Sequence, residues 1–165
     1  MNCRNLPRIG YSVNLFSRLK PGYQRFRRED DGVNPVWWRY RRGGNQSVLL
    51  REAVQALRDE SYELNEIIVL SPLAGESVAA TTTDSWLRQV LKPADGLSRK
   101  RGELQFSTIH AYKGLEAPAV IVTDLDRELV PNFESILYVG LTRATDRLYG
   151  VVEENTGLAG VEGKL

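Results

Sequence analysis

Apolar positions along the chain switch between helical and strand spacing. Residues 6–19 carry Leu6, Ile9, Val13, Phe16 and Leu19 at steps of three and four, the period of an amphipathic helix. Pro7 suits its first turn, and Lys20-Pro21-Gly22 ends it. A charged loop through Glu29-Asp30-Asp31-Gly32 leads to a predicted strand at 35–40, containing Val36, Trp37, Trp38 and Tyr40, which Gly43-Gly44 breaks. A second helix is predicted over 46–62, through Val48, Leu49, Ala53, Ala56 and Leu57. Ile67-Ile68-Val69-Leu70 is short and continuously apolar, as a buried parallel strand is, and Ser71-Pro72 closes it. A third helix is predicted over 84–91, with Asp84 as its N-cap.

Residues 92–102 read as a basic loop containing Lys92, Arg99, Lys100 and Arg101. The pattern then predicts a strand near 103–109, a turn with a short helix through 110–116, and a buried strand at 119–122. A helix over 133–144 and a strand near 147–152 follow. The last residues, 153–165, contain Gly157, Gly160 and Gly163 and are expected to form a flexible tail. Strands alternating with helices imply an α/β fold, with right-handed crossovers and a mainly parallel sheet covered on both faces. Residues 1–152 are expected to form one domain.

Composition adds limits. The chain has 165 residues, 42% hydrophobic and 26% charged, enough for one domain with a real core. No apolar run reaches the roughly 20 residues of a membrane span, and no signal-peptide pattern opens the chain. Cys3 is the single cysteine, which leaves no intrachain disulfide and no cysteine-based metal site; no metal site is expected, and a cytoplasmic protein is. The net charge of +1 hides an asymmetry, because residues 1–42 carry ten Lys/Arg against three acidic residues. Such a segment can meet phosphates, or it can be a solvated surface paired with the acidic remainder.

Two stretches carry candidate chemistry. At 100° per residue over 133–148, Leu137, Leu141, Ala144 and Leu148 share an apolar face. Ile136, Val139, Gly140, Arg143 and Arg147 fall on another. A guanidinium there can stabilise a transferring phosphoryl group, or it can close a surface salt bridge. Ser107-Thr108-Ile109-His110-Ala111-Tyr112-Lys113-Gly114-Leu115-Glu116 sets hydroxyls, the one histidine and a carboxylate around Gly114. A strand end at Thr108 can present hydroxyl and N–H groups to a phosphate. His110 can stack on a base or serve structurally, and Glu116 can accept from a ribose hydroxyl. Trp37 and Trp38 alternate across a strand, so one is expected in the core and the other as an exposed platform or interface residue.

These strings resemble motifs of the UvrD/Rep/PcrA-like superfamily 1A DNA helicases. Residues 107–116 resemble motif V, Tyr138-Val139-Gly140-Leu141-Thr142-Arg143-Ala144 motif VI, and Asn2-Cys3-Arg4-Asn5 motif IV, with Cys3 and Asn5 in place of tyrosine and serine. Glu66–Leu70 is similar to the strand that follows motif IV. The order matches over nearly the whole chain. The resemblance implies the C-terminal, second RecA-like domain: a three-layer fold lacking the P-loop domain. It implies that Thr108 and His110 touch single-stranded DNA and that Glu116, with Gly114, approaches the nucleotide ribose. Arg4 and Arg143 would contact the γ-phosphate as catalytic groups. No Gly-x-x-x-x-Gly-Lys-[Ser/Thr] string occurs, and Asp124 after its apolar strand is followed by leucine, not glutamate. ATP with Mg²⁺ is therefore expected only together with an N-terminal P-loop domain, in cis or in trans. The partners implied are single-stranded or partly duplex DNA and that domain, with 3′–5′ movement and no ATPase activity for the chain alone. A non-catalytic nucleic-acid-binding or regulatory module, or a subunit completing an ATP site in trans, fits the same residues.

Overall fold

The computed structural model describes residues 2–3, 5–17, 25–26, 29–96 and 98–158. Arg4 lies outside the described residues, as does 159–165 of the expected tail. The elements in order are β1 (Asn2–Cys3), α1 (Pro7–Ser17), β2 (Arg25–Phe26), β3 (Val36–Tyr40), α2 (Gln46–Asp59), β4 (Ile67–Ser71), α3 (Val78–Thr81), α4 (Ser85–Val90), β5 (Leu91–Pro93), β6 (Leu104–Thr108), β7 (Ala117–Leu125), α5 (Phe133–Leu141) and β8 (Ala144–Glu153). A single 3₁₀ turn, Leu64–Glu66, precedes β4. Six strands form one sheet in the order β3-β8-β7-β4-β6-β5, and every neighbouring pair in it is parallel. This is the three-layer parallel α/β arrangement the alternation of periods predicts.

The sheet divides the core in two, and the side-chain alternation of each strand does the dividing. Ile68 and Leu70 of β4, Val120 and Val122 of β7, and Leu148 of β8 pack with α1 and α5 on one face. Ile67 and Val69, Ala119 and Ile121, and Tyr149 pack with α2 and α4 on the other. β4 is buried along its whole length, which is why it reads as an unbroken apolar run. Helix starts are set by side chains: Asp84 accepts from Leu87 N, Ser77 from Ala80 N and Asn45 from Ser47 N. Each relieves one of the N–H groups a helix start leaves without a partner.

The two adjacent tryptophans follow the same alternation. Trp37 joins the α1/α5 core and Trp38 packs on the α2 side, edge-on to Tyr149 with ring centroids 5.5 Å apart. Neither is an exposed platform. Trp37 lies over Gly150, where an added Cβ would come 2.2 Å from its ring.

Four expectations change. The helix over 133–144 stops at Leu141, and Ala144 opens β8. Ala144 and Leu148 are buried in the same core as Leu137 and Leu141, so their helical spacing is kept although half of it belongs to a strand. β8 is paired on both edges, by β3 and β7, and that ladder overrides local helical preference. The loop predicted at 92–102 begins as edge strand β5, paired with β6. Residues 110–116 form turns without a helix. In the segment expected as a tail, Glu153 completes β8, and Thr156 and Leu158 are buried. Among the described residues no helix is long and apolar enough to cross a membrane.

Candidate functional site

The string 107–116 leaves β6 and crosses one face of the sheet. Ile109 N donates to Ser71 O at 2.9 Å, Thr108 Oγ1 accepts from Ala111 N at 3.0 Å, and Tyr112 N donates to Thr108 O at 3.1 Å. Ile109 and Tyr112 are buried anchors, whereas His110, Lys113 and Glu116 are exposed. Gly114 has φ +87°, a conformation side-chain-bearing residues avoid, and it turns the chain outward between Lys113 and Leu115. Anchors and exposed polar groups therefore interleave.

Arg143 stands just past the end of α5, not within a helix as the wheel supposed. Its Nε donates to Val139 O at 2.9 Å, Nη2 to Thr142 Oγ1 at 2.9 Å and Nη1 to Leu115 O at 3.2 Å. The first bond caps the carbonyl end of α5, where a cation is favoured. The last ties the residue to the segment just before Glu116. Ala117 N donates to Arg143 O at 3.0 Å, so main chain and side chain both join the 138–144 string to the 107–116 string. The N-terminal string arrives at the same corner. Leu6 N donates to Thr145 O at 3.0 Å, and the buried Asn5 amide donates to Thr142 O at 3.2 Å and to Ala144 O.

Arg99 completes this corner and was missed, since its loop reads as solvated. Its Nη2 donates to the Tyr112 hydroxyl and, at 2.7 Å, to Glu116 O. The Tyr112 hydroxyl also donates to Glu116 O at 3.2 Å. Burial raises the Tyr112 pKa, and the nearby charges of Arg99 and Arg143 oppose that rise. The basic run at 99–101 was the one sequence signal for this contact, and it does not say which arginine folds inward.

Arg147, placed beside Arg143 by the helical wheel, is on β8 and does other work. It pairs with Asp31 at 2.5 Å and Glu60 at 2.6 Å. Burial opposes its charge, but the hydrogen bonds to Glu60 and Asp31 outweigh burial and raise its pKa.

Strand register separates the site residues into two groups. Thr108 pairs with Ser71, while Leu70 pairs with Val122, so Thr108 is level with residue 123 of β7. Glu116 directly precedes that strand and Arg143 directly precedes β8. Seven residues of β7 separate the two levels, so the groups lie toward opposite ends of the strands. Thr108 and His110 stand at the carboxyl ends of the strands; Gly114, Glu116 and Arg143 stand toward the amino ends.

The carboxyl-end group has a neighbour with its own chemistry. Asp124, at φ +58°, is buried and accepts from Ser71 Oγ at 2.7 Å, Thr123 Oγ1 at 2.8 Å, Gln46 Nε2 at 3.1 Å and Val78 N at 3.2 Å. It gathers β4, α2 and α3 below an open polar cleft of about 270 Å³. Next to it, Arg42 makes a two-bond pair with Asp126, at 2.9 and 2.8 Å.

Comparison with known proteins finds similarity for part of the sequence and for the fold. Residues 104–151, from β6 into β8, match the family model for the UvrD-like helicase C-terminal domain. A 48-residue stretch, 29% of the chain, is 46% identical to the mitochondrial ATP-dependent DNA helicase HMI1 of Saccharomyces cerevisiae and spans 7% of that protein's length. The fold is shared with the C-terminal domain of a possible DNA helicase from Lactobacillus plantarum WCFS1: TM-score 0.69, 17% identity, 98% of this chain and 95% of that one. The six-stranded parallel sheet flanked by helices is thus an architecture shared with that domain.

Proposed function

With residues 104–151 as UvrD-like helicase C-terminal sequence, we propose that this chain is the second motor half of an ATP-dependent, 3′–5′ DNA helicase or translocase. A P-loop domain, in cis or in trans, supplies the phosphate cradle and the Mg²⁺ ligands. Arg143 and Arg4 meet the γ-phosphate, and Glu116, on the turn that Gly114 allows, meets the ribose. Thr108 and His110 hold single-stranded DNA at the opposite end of the sheet. What carries the reading is the path of the 107–116 string: one short segment begins among groups suited to a strand of nucleic acid and ends hydrogen-bonded to the arginine suited to a phosphate. A domain that touches nucleotide at one end and nucleic acid at the other can convert closure of a cleft into movement.

The fit of Arg143 to a phosphate rests on its hydrogen bonds. A guanidinium has five N–H donors; three are directed at Val139 O, Thr142 Oγ1 and Leu115 O. The rest can meet an anion from the open side without loss of the contacts that aim the group.

An ATPase assay tests the reading. The chain alone shows no DNA-stimulated turnover, because an arginine without a P-loop and metal has no phosphoryl group to act on. Joined to a UvrD-like P-loop domain it gains turnover, and Arg143→Ala lowers that rate by about 10³-fold or more, as for loss of an arginine finger. DNA-stimulated hydrolysis by the chain alone, or a joined enzyme indifferent to Arg143→Ala, refutes the assignment. Independently, binding of the chain to a fluorescent single-stranded oligonucleotide should weaken with salt and in Thr108→Ala and His110→Ala.

A further inference from the structure

Among the described residues four arginines are half-buried: Arg8, Arg99, Arg143 and Arg147. Arg8 pairs with Asp30 at 2.9 Å and Arg147 with Asp31 and Glu60. Arg99 and Arg143 have no carboxylate partner among the described residues; their acceptors are hydroxyls and carbonyls. Partial desolvation of a cation with only uncharged acceptors is costly, and here it occurs twice in one place. The two guanidiniums hold successive carbonyls, Leu115 O by Arg143 and Glu116 O by Arg99. Both charges also oppose the rise that burial gives the Tyr112 pKa. Arg99 commits both protons of Nη2, which leaves Nε–H and the Nη1 protons, and Arg143 keeps one proton on each of Nη1 and Nη2.

We propose that Arg99 and Arg143 form a paired anion site on the Tyr112–Glu116 turn, and that it takes the polyphosphate of a nucleotide. Arg99 is then a further phosphate-binding guanidinium, contributed by the loop between β5 and β6. The proposal rests on the assignment of Arg143 to the nucleotide, and it adds a residue that lies outside the three strings. A polyphosphate suits the pair better than a carboxylate because its charge is spread over many oxygens, and two separate forks can each find an acceptor. The two guanidiniums also lie toward the opposite end of the strands from Thr108, so nucleic acid held there need not compete for them.

The test uses the whole chain with sodium tripolyphosphate at low salt. Binding is followed by calorimetry and by the arginine Nε–H resonances in nitrogen-15 spectra. Saturable binding is expected, with shifts at the Arg99 and Arg143 resonances. Arg99→Ala and Arg143→Ala should each raise the Kd by at least about tenfold, the scale of a lost charge-assisted contact. Arg88→Ala, on the exposed side of α4, should leave it unchanged. Arg99→Gln removes the charge and keeps a polar side chain; it should weaken binding equally while the protein still unfolds in one cooperative transition, which separates binding from folding. Absence of saturable binding overturns the proposal, and so does displacement of tripolyphosphate by a single-stranded oligonucleotide. Weakening in Arg143→Ala alone removes Arg99 from the site and leaves the motor reading standing. Weakening in both variants, without ATPase activity after joining to a P-loop domain, supports the anion site and removes the motor reading.

Discussion

Gly150→Ala tests the packing that fixes the sheet edge. Gly150 pairs with Trp37 across β3 and β8 and with Val122 across β7 and β8. A Cβ built there would stand 2.2 Å from Trp37 Cζ3, 2.3 Å from Cε3 and 3.2 Å from Cδ2. Ordinary carbon contact is about 3.5–4.0 Å, so the indole must retreat by more than an ångström. Trp37 is 7% exposed and embedded in the α1/α5 core, and a rigid bicyclic ring cannot relieve the clash by swinging a flexible tip. Overpacking of this kind costs about 1–3 kcal/mol, occasionally more. Alanine's lower unfolded-state entropy returns about 0.4–1 kcal/mol. With three ring atoms inside contact distance, a net loss of about 2 kcal/mol is expected. For a chain this size that lowers the melting temperature by roughly 4–8 °C. Urea unfolding followed by tryptophan fluorescence measures it, and Trp37→Leu in the Gly150→Ala background should recover part of the loss through a favourable coupling. A Gly150→Ala protein within about 0.5 kcal/mol of the parent, the range of a neutral surface change, or a double variant with purely additive losses, would refute the steric argument.

Two further outcomes follow from other contacts. Asp124→Ala leaves Ser71 Oγ, Thr123 Oγ1, Gln46 Nε2 and Val78 N without their shared acceptor; at about 1–3 kcal/mol for a buried group left without a partner, even partial rehydration predicts a loss of at least ~2 kcal/mol by urea unfolding, and a smaller loss would mean the cleft admits water freely. The pKa of Asp31 is lowered because the Val33 N–H and Arg147 outweigh burial, and that of Asp84 is lowered by the Leu87 N–H and Arg51. Depressed carboxylate pKa values give stability that is fully present above the unfolded value of about 3.9 and is lost as pH falls through the lower folded values. Urea midpoints should therefore hold through pH 5–7 and fall below about pH 4, with a shallower acid limb in Asp31→Asn and Asp84→Asn; an unchanged limb would remove both groups from the account.

The sequence by itself determined the parts that local chemistry encodes. Buried parallel strands must be apolar on both faces, so β4 and the centre of β7 are visible as unbroken runs. Asp84 announces its helix because an N-cap acts on backbone only three residues away. The three strings, with Thr108, His110, Gly114, Glu116 and Arg143, could be picked out one by one for the same reason: each is a short pattern of side chains suited to one ligand group. The tertiary structure decided what depends on distant partners. The end of α5 at Leu141 was hidden because Ala144 and Leu148 stay buried in the same core as strand residues, so burial period cannot distinguish helix from strand. Arg143 and Arg147 look equivalent along the chain, yet Asp31 and Glu60 neutralise one while the other faces only carbonyls and a hydroxyl. Arg99 acquires its place only because β5 joins the sheet edge and brings its loop over Tyr112 and Glu116. Register alone assigns Thr108 to one end of the sheet and Glu116 to the other, since hydrogen-bond pairing between strands far apart in sequence sets that distance.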